Sequence, residues 1–125
     1  MDETEISKII VNAAYEIHTQ LGPGLLESVY EEILYFELTS KGLKVERQKG
    51  ISVLWKGIKM EVGFRADLIV ENKVIIEIKS VSEILSVHSK QVLTYLKLSG
   101  CKLGLLINFN DKLIKSGITR IVNNL

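Results

Sequence analysis

Two carboxylates and a lysine interrupt the most strand-like stretch of this chain. In "RADLIVENKVIIEIKSV", residues 65–81, Asp67, Glu77 and Lys79 stand among Ile and Val. Carboxylates brought close together repel, so they need a cation or a shared proton. Oxygen donors of this kind suit Mg²⁺ or Mn²⁺. A lysine two residues after Glu77 on a strand projects to the same side, where it can position a water or help deprotonate it. The plainer alternative is a cross-strand ion pair, Asp67–Lys79 or Glu77–Lys79, on a solvated face.

Whether these side chains meet is a question of register. Along one strand Phe64, Ala66, Leu68 and Val70 alternate with Arg65, Asp67 and Ile69. Along the next, Val74, Ile76 and Ile78 alternate with Ile75, Glu77 and Lys79. A two-residue turn at Asn72-Lys73 would mix charged and apolar residues on both faces. A register one residue away, with a three-residue loop Glu71-Asn72-Lys73 or a bulge, makes one face wholly apolar. It gathers Asp67, Glu77 and Lys79 on the other. A one-residue slip reverses every side chain, so burial selects the second register.

Two further groups carry usable chemistry. In "GLLESVYEE", Glu27 and Tyr30 are helical neighbours. An acid in a first helical turn also simply complements the helix dipole, and Tyr30 can simply pack. Farther on, His88, Gln91 and Tyr95 form a stripe at spacings of three and four, an uncommon choice for a purely wet helix face. His18 and His88 are expected in core or surface roles rather than as metal ligands. Trp55, near a turn, is as able to pack as to stack on a base. There is no GxSxG, no phosphate-binding GxxxxGK[ST] and no dinucleotide GxGxxG.

The elements that must position these groups follow from periodicity. Ile6, Ile9, Ile10, Ala13, Ala14, Ile17 and Leu21 recur at helical spacing before "GPG". After it, "LLESVYEEILYFELTSKG" reads as a second helix ending at Gly42, with Leu26, Val29, Ile33 and Phe36 as its buried stripe. Short strands follow in "LKVERQ" and "ISVLW", with a hairpin near Gly57. "FRADLIV" and "KVIIEIKS" are the two central strands. A helix is expected over Ser86–Ser99, ended by Gly100, then a buried strand in "KLGLLINF" and an edge strand in "NDKLIKSGITRIV". A strand–helix–strand crossover after an antiparallel meander implies a mixed sheet flanked by helices, an α/β (α+β) fold.

Composition sets outer bounds. The chain has 125 residues, 46% hydrophobic and 25% charged, as expected for one packed domain spanning 1–125. Its net charge of +1 provides no global basic field, so contact with nucleic acid must rely on a local patch. One cysteine, Cys101, excludes a disulfide framework within one chain and a Cys-rich zinc or iron–sulfur site. No apolar run reaches the ~18 residues of a membrane span, and the polar "MDETEISKII" is not a signal peptide. The expected location is the cytoplasm, away from membranes.

"FRADLIV…VIIEIK" resembles the D…(E/D)xK signature of the PD-(D/E)xK nuclease superfamily. "GLLESVY" matches, at Gly24, Glu27 and Tyr30, the motif of the bacterial and archaeal GxxExxY protein family. The resemblance runs from about Ile6 to Val122 and includes "GFRADL", "QVLTYLKL" and "GLLINF"; Ala66 replaces the proline of the signature. It implies a restriction-endonuclease-like core, a mixed β-sheet flanked by helices in the order α-α-β-β-β-α-β. It further implies Asp67 and Glu77 as metal ligands, with the Ile78 carbonyl and Glu27 as further donors, and Lys79 as the catalytic lysine. Gln91 and Tyr95 match a QxxxY element, and Arg65 is placed to contact a nucleic-acid backbone. The implied function is Mg²⁺- or Mn²⁺-dependent hydrolysis of phosphodiester bonds, with DNA as the expected partner and a homodimer or partner protein to extend a small surface. The alternative is a non-catalytic nucleic-acid-binding or protein-interaction module on the same fold.

Overall fold

The computed structural model describes residues 1–125. Helix α1 (Glu3–Leu21) begins in a capping box, with Asp2 accepting from the Glu5 amide and Glu5 reaching back. It buries Ile6, Ile10, Ala13, Ala14 and Ile17, while Leu21 stays half exposed. Helix α2 (Glu27–Ser40) follows the Gly-Pro-Gly turn. Strand β1 (Val45–Ile51), the hairpin β2 (Leu54–Trp55) and β3 (Ile58–Lys59), and strands β4 (Phe64–Val70) and β5 (Val74–Lys79) come next. Helix α3 (Ser86–Ser99), strand β6 (Leu103–Asn108), a short α4 (Ile114–Gly117) and β7 (Ile118–Val122) complete the chain.

The main sheet has the order β1-β4-β5-β6-β7. Only β5 and β6 run parallel, as the α3 crossover requires; every other pair is antiparallel. β5 and β6 are almost wholly buried because both sheet faces are covered. On one face α1, α2 and α4 pack on Leu68, Val70, Val74, Ile76, Ile78, Leu105 and Ile107. On the other, Leu96 of α3 meets Ala66, Ile69, Ile75 and Cys101. No helix is long and apolar enough to cross a membrane.

The β4–β5 register is the one burial selects. Leu68 pairs with Ile76, Ile69 with Ile75 and Val70 with Val74. The loop is Glu71-Asn72-Lys73, with Glu71 and Asn72 both at positive φ.

Three expectations need correction. Leu26 is 73% and Phe36 65% exposed, and Val29 also lies at the surface. The buried face of α2 is Tyr30, Glu31, Leu34 and Leu38, rotated by about one residue. The polar Glu31 within that face disguises it. Second, Phe64 and Ala66 do not share a face with Leu68 and Val70. Phe64 stacks on Tyr95 of α3, and Ala66 joins the α3 cluster. β1 changes sides as well: Val45 packs toward α1 and α2, Ile51 toward α3. The register stays constant through the change, Arg47 opposite Leu68 and Lys49 opposite Ala66, so no residue is inserted. Instead Gln48, the residue opposite Asp67, adopts a left-handed φ of 52°. Both strands exchange faces about this pair of positions. Third, the last strand is preceded by α4, whose Ile114 fills the core beside Phe109.

Candidate metal and catalytic site

Asp67 sits where the β4–β5 ladder opens. The last paired residues are Leu68 and Ile76, one step before Asp67 and Glu77 would face each other. Beyond that point side chains replace backbone carbonyls as acceptors. Asp67 Oδ2 accepts from the Ile78 amide at 2.8 Å, and Glu77 Oε1 accepts from the Asp67 amide at 3.2 Å. The structure therefore brings the two carboxylates into contact, each anchored to the other's strand.

Their electrostatics are those of a dyad short of a cation. Glu77 is only 6% exposed. Burial first, then the Asp67 charge, pushes its carboxyl up to about 8, while the Lys79 charge partly offsets this. Asp67 is also raised, mainly by burial and less by the nearby charge of Glu31; the Ile78 amide opposes the shift. With both carboxyls raised, the pair resists carrying two negative charges, a repulsion that a cation would relieve.

Lys79 is half-buried and its ammonium forms no ion pair. The ion pairs of the chain are Lys44–Glu46, Arg47–Glu31 and Lys49–Glu46. The plain reading of a cross-strand salt bridge to Asp67 or Glu77 therefore does not hold. The backbone of Lys79 is fixed by its carbonyl, which accepts from Phe109 N–H at 2.9 Å. Asn108, fully buried at the end of β6, holds the next loop through Val81 N–H and Val81 C=O at 3.0 and 2.9 Å.

The helices contribute unequally. Glu27 is exposed and accepts from the Ser80 amide at 2.9 Å. It thus reaches the end of β5 beside Lys79 but does not join Asp67 and Glu77; no three acidic, His or Cys side chains converge on a metal position. The α2 acid coupled to Asp67 is Glu31, which the sequence pattern hides. Glu31 accepts from Arg47 Nε at 2.8 Å and from Gln48 Nε2 at 2.6 Å, and the same Gln48 nitrogen reaches Asp67 Oδ1 at 3.3 Å. Tyr30 lies outside the site. It is fully buried, its ring stacks on Phe109, and its hydroxyl donates to Gly22 C=O and accepts from Leu25 N–H. It closes the Gly-Pro-Gly turn instead.

On α3, Tyr95 stacks on Phe64 with ring centroids 4.0 Å apart. Burial, and then the charges of Glu77 and Asp67, raise its phenol above the ordinary value. Gln91 is exposed one turn earlier. His88 Nδ1 accepts from Leu85 N–H at the start of α3, and His18 Nε2 contacts Asp111 C=O; neither histidine belongs to the site. Arg65 does not stand beside Asp67 because the faces exchange between them. It lines an open cleft at the end of the sheet with Gly50, Ser52 and Lys59.

Residues 4–121 match the sequence profile of the PD-(D/E)XK nuclease superfamily. The chain belongs to that superfamily. Among solved structures, the crystal structure of SSO0001 is similar to this PD-(D/E)XK protein with a TM-score of 0.59 and 22% identity. The alignment covers 98% of this chain and 60% of that one, so the chain spans about 60% of that protein's length. At this identity the likeness shows the fold, a restriction-endonuclease-like mixed sheet between helices. No curated protein sequence matches the chain significantly.

Proposed function

We propose that this chain is a Mg²⁺- or Mn²⁺-dependent nuclease of the GxxExxY branch, hydrolysing phosphodiester bonds of nucleic acid. The observation that carries this reading is the Asp67–Glu77 pair at the opened end of the β4–β5 ladder, with the unpaired Lys79 two residues on. The donor set fits a hard divalent cation: two carboxylates, oxygen only, one nearly buried and pushed up by burial and by its neighbour's charge. Asp67, Glu77 and the Ile78 carbonyl would hold the ion. When bound, it supplies Lewis acidity at a phosphoryl oxygen and lowers the pKa of a water.

The other roles belong to the chain itself. Lys79 orients the attacking water and offsets negative charge as it develops in the transition state. Tyr95 and Gln91 present hydrogen-bonding groups to a phosphate or to the lysine. Glu27 positions the residue after Lys79 through the Ser80 amide. Arg65 contacts the nucleic-acid backbone from the cleft at the sheet end. A cytoplasmic location fits Cys101, a buried free thiol.

The test is a cleavage screen over single- and double-stranded DNA and RNA, with and without Mg²⁺ or Mn²⁺, beside Asp67→Asn. Metal-dependent cleavage lost in Asp67→Asn is the expected result. Metal binding without any cleavage would instead support the non-catalytic binding module.

A further inference from the structure

The β2–β3 hairpin is hydrogen-bonded to no strand of the main sheet. Its turn, Lys56-Gly57, has positive φ at both residues, the form that matches hairpin twist. Trp55 and Ile58 pair directly across it, and each is 65% exposed. An exposed tryptophan–isoleucine pair has a large unfavourable hydration cost unless something covers it. The base of the hairpin is nevertheless firmly built. Met60 N–H bonds Val53 C=O at 2.9 Å, and a Cβ at Gly63 would lie 2.2 Å from Ile51 C=O, so the two arms pass too closely for any other residue. The apolar pair is thus held out on a defined stalk.

The charge around it selects the occupant. Residues 50–65 hold Lys56, Lys59 and Arg65 against the single acid Glu61, in a chain of net charge +1. None of these three cations is engaged in an ion pair. Lys56 Nζ lies 5.9 Å from the Trp55 ring centroid, and Lys59 and Arg65 line an open cleft of about 550 Å³ at the hairpin's foot with Phe64. Phe64 stands three residues before Asp67, about 10 Å along the strand. An exposed aromatic beside cations without ion-pair partners, on a hairpin whose foot opens into a cleft lined by Lys59, Arg65 and Phe64, matches how proteins engage unpaired nucleic-acid strands.

We infer that the β2–β3 hairpin is a strand-engaging element: Trp55, backed by Ile58, stacks on an unpaired base while Lys56, Lys59 and Arg65 contact its phosphates. The inference rests on the nuclease reading and narrows its substrate to nucleic acid with a single-stranded stretch. Stacking needs an exposed base face, which a continuous duplex does not offer.

Trp55 is the only tryptophan of the chain, so its fluorescence reports this contact directly. The metal-free protein in EDTA should be titrated with oligothymidylate, oligouridylate and a blunt duplex of equal length. Unpaired strands should quench Trp55 and bind more tightly than the duplex; comparing the first two distinguishes DNA from RNA. By anisotropy of a labelled strand, Trp55→Ala should weaken binding roughly 5- to 100-fold, the scale of one lost stacked base, and Trp55→Phe should recover most of it. Lys56→Gln with Lys59→Gln should flatten the slope of log affinity against log salt by about 0.7 per phosphate contact removed. Unchanged melting temperatures would show that these exposed substitutions leave the fold intact. Cleavage by the parent with no quenching, and no effect of Trp55→Ala on strand affinity, overturns the inference while the nuclease reading stands. Quenching by unpaired strands in a protein that cuts nothing does the reverse. Self-association abolished by Trp55→Ala, without quenching, would assign the hairpin to a protein interface and also overturn it.

Discussion

Asp67 of β4 and Ile78 of β5 are joined by a hydrogen bond outside the backbone ladder: a carboxylate oxygen occupies the place of a strand carbonyl, 2.8 Å from the amide. The candidate ligand therefore also closes the sheet. Removing the side chain altogether would disturb the strand pairing, whereas Asn keeps an acceptor oxygen. Asp67→Asn is for that reason the informative substitution at this position.

The first prediction concerns pH. Glu77 has an ordinary value of 4.5 and is raised to about 8 in the folded protein. Between those values the folded state keeps a proton that the unfolded chain releases. The unfolded state then binds fewer protons, so stability falls as pH rises through this window. The slope is at most about 1.4 kcal/mol per pH unit for one proton. Asp67 is shifted in the same direction and adds to it. Urea midpoints between pH 5 and 8 in EDTA should decline for the parent and much less for Glu77→Gln. Added Mg²⁺ should restore stability chiefly at the alkaline end. Equal slopes in parent and variant would remove Glu77 as the proton holder.

Lys79→Met keeps the apolar stem and deletes the charge. Cleavage should fall roughly 10²–10⁴-fold, the scale of a positioned acid–base group. Mn²⁺ affinity, followed by calorimetry, should be unchanged or slightly stronger because a like charge has gone. Parent-level cleavage would refute the role given to the lysine.

Glu27 separates a positioning role from metal ligation. Its Oε2 holds the Ser80 amide, a bond that an amide oxygen can also make. Glu27→Gln should therefore leave Mn²⁺ affinity within about 2-fold of the parent, an energy difference below roughly 0.5 kcal/mol. A loss of tenfold or more would restore Glu27 to the ligand set.

Tyr30→Phe removes a hydroxyl that ties Gly22 to Leu25 and leaves the stack on Phe109 in place. The expected cost is about 0.5–1.5 kcal/mol of stability, read from denaturant midpoints. The cleavage rate of the folded variant should equal that of the parent. A catalytic defect with undiminished stability would mean that Tyr30 acts on substrate after all.

Much of the fold is legible in the residue pattern because burial on one face leaves few alternatives. Leu68, Val70, Val74, Ile76 and Ile78 can share a covered face in only one register, and that register also brings Asp67 to Glu77. Helix α3 and β6 are equally explicit, the first in its period and its terminal Gly100, the second in its unbroken apolar run. Helix α2 is not. Its buried face contains Glu31, whose burial is offset by Arg47 and Gln48 of the strand that follows it. A pattern of apolar residues alone selects Leu26, Val29 and Phe36 instead. Nor does residue type announce the left-handed Gln48, so strict alternation carries Phe64 and Ala66 to the wrong face and sets Arg65 beside Asp67. A stripe read from Tyr30, Leu34 and Leu38 would have exposed Glu31 as a buried acid in need of partners.

Gln48 carries a cost of its own. A left-handed backbone in a residue with a side chain is unfavourable on the order of 1–3 kcal/mol. Glycine at this position would relieve that strain, and it would also delete the amide that reaches from Glu31 to Asp67. Selection for heat resistance and selection for an ordered carboxylate pair therefore pull position 48 in opposite directions, and a chain optimised for one is detuned for the other.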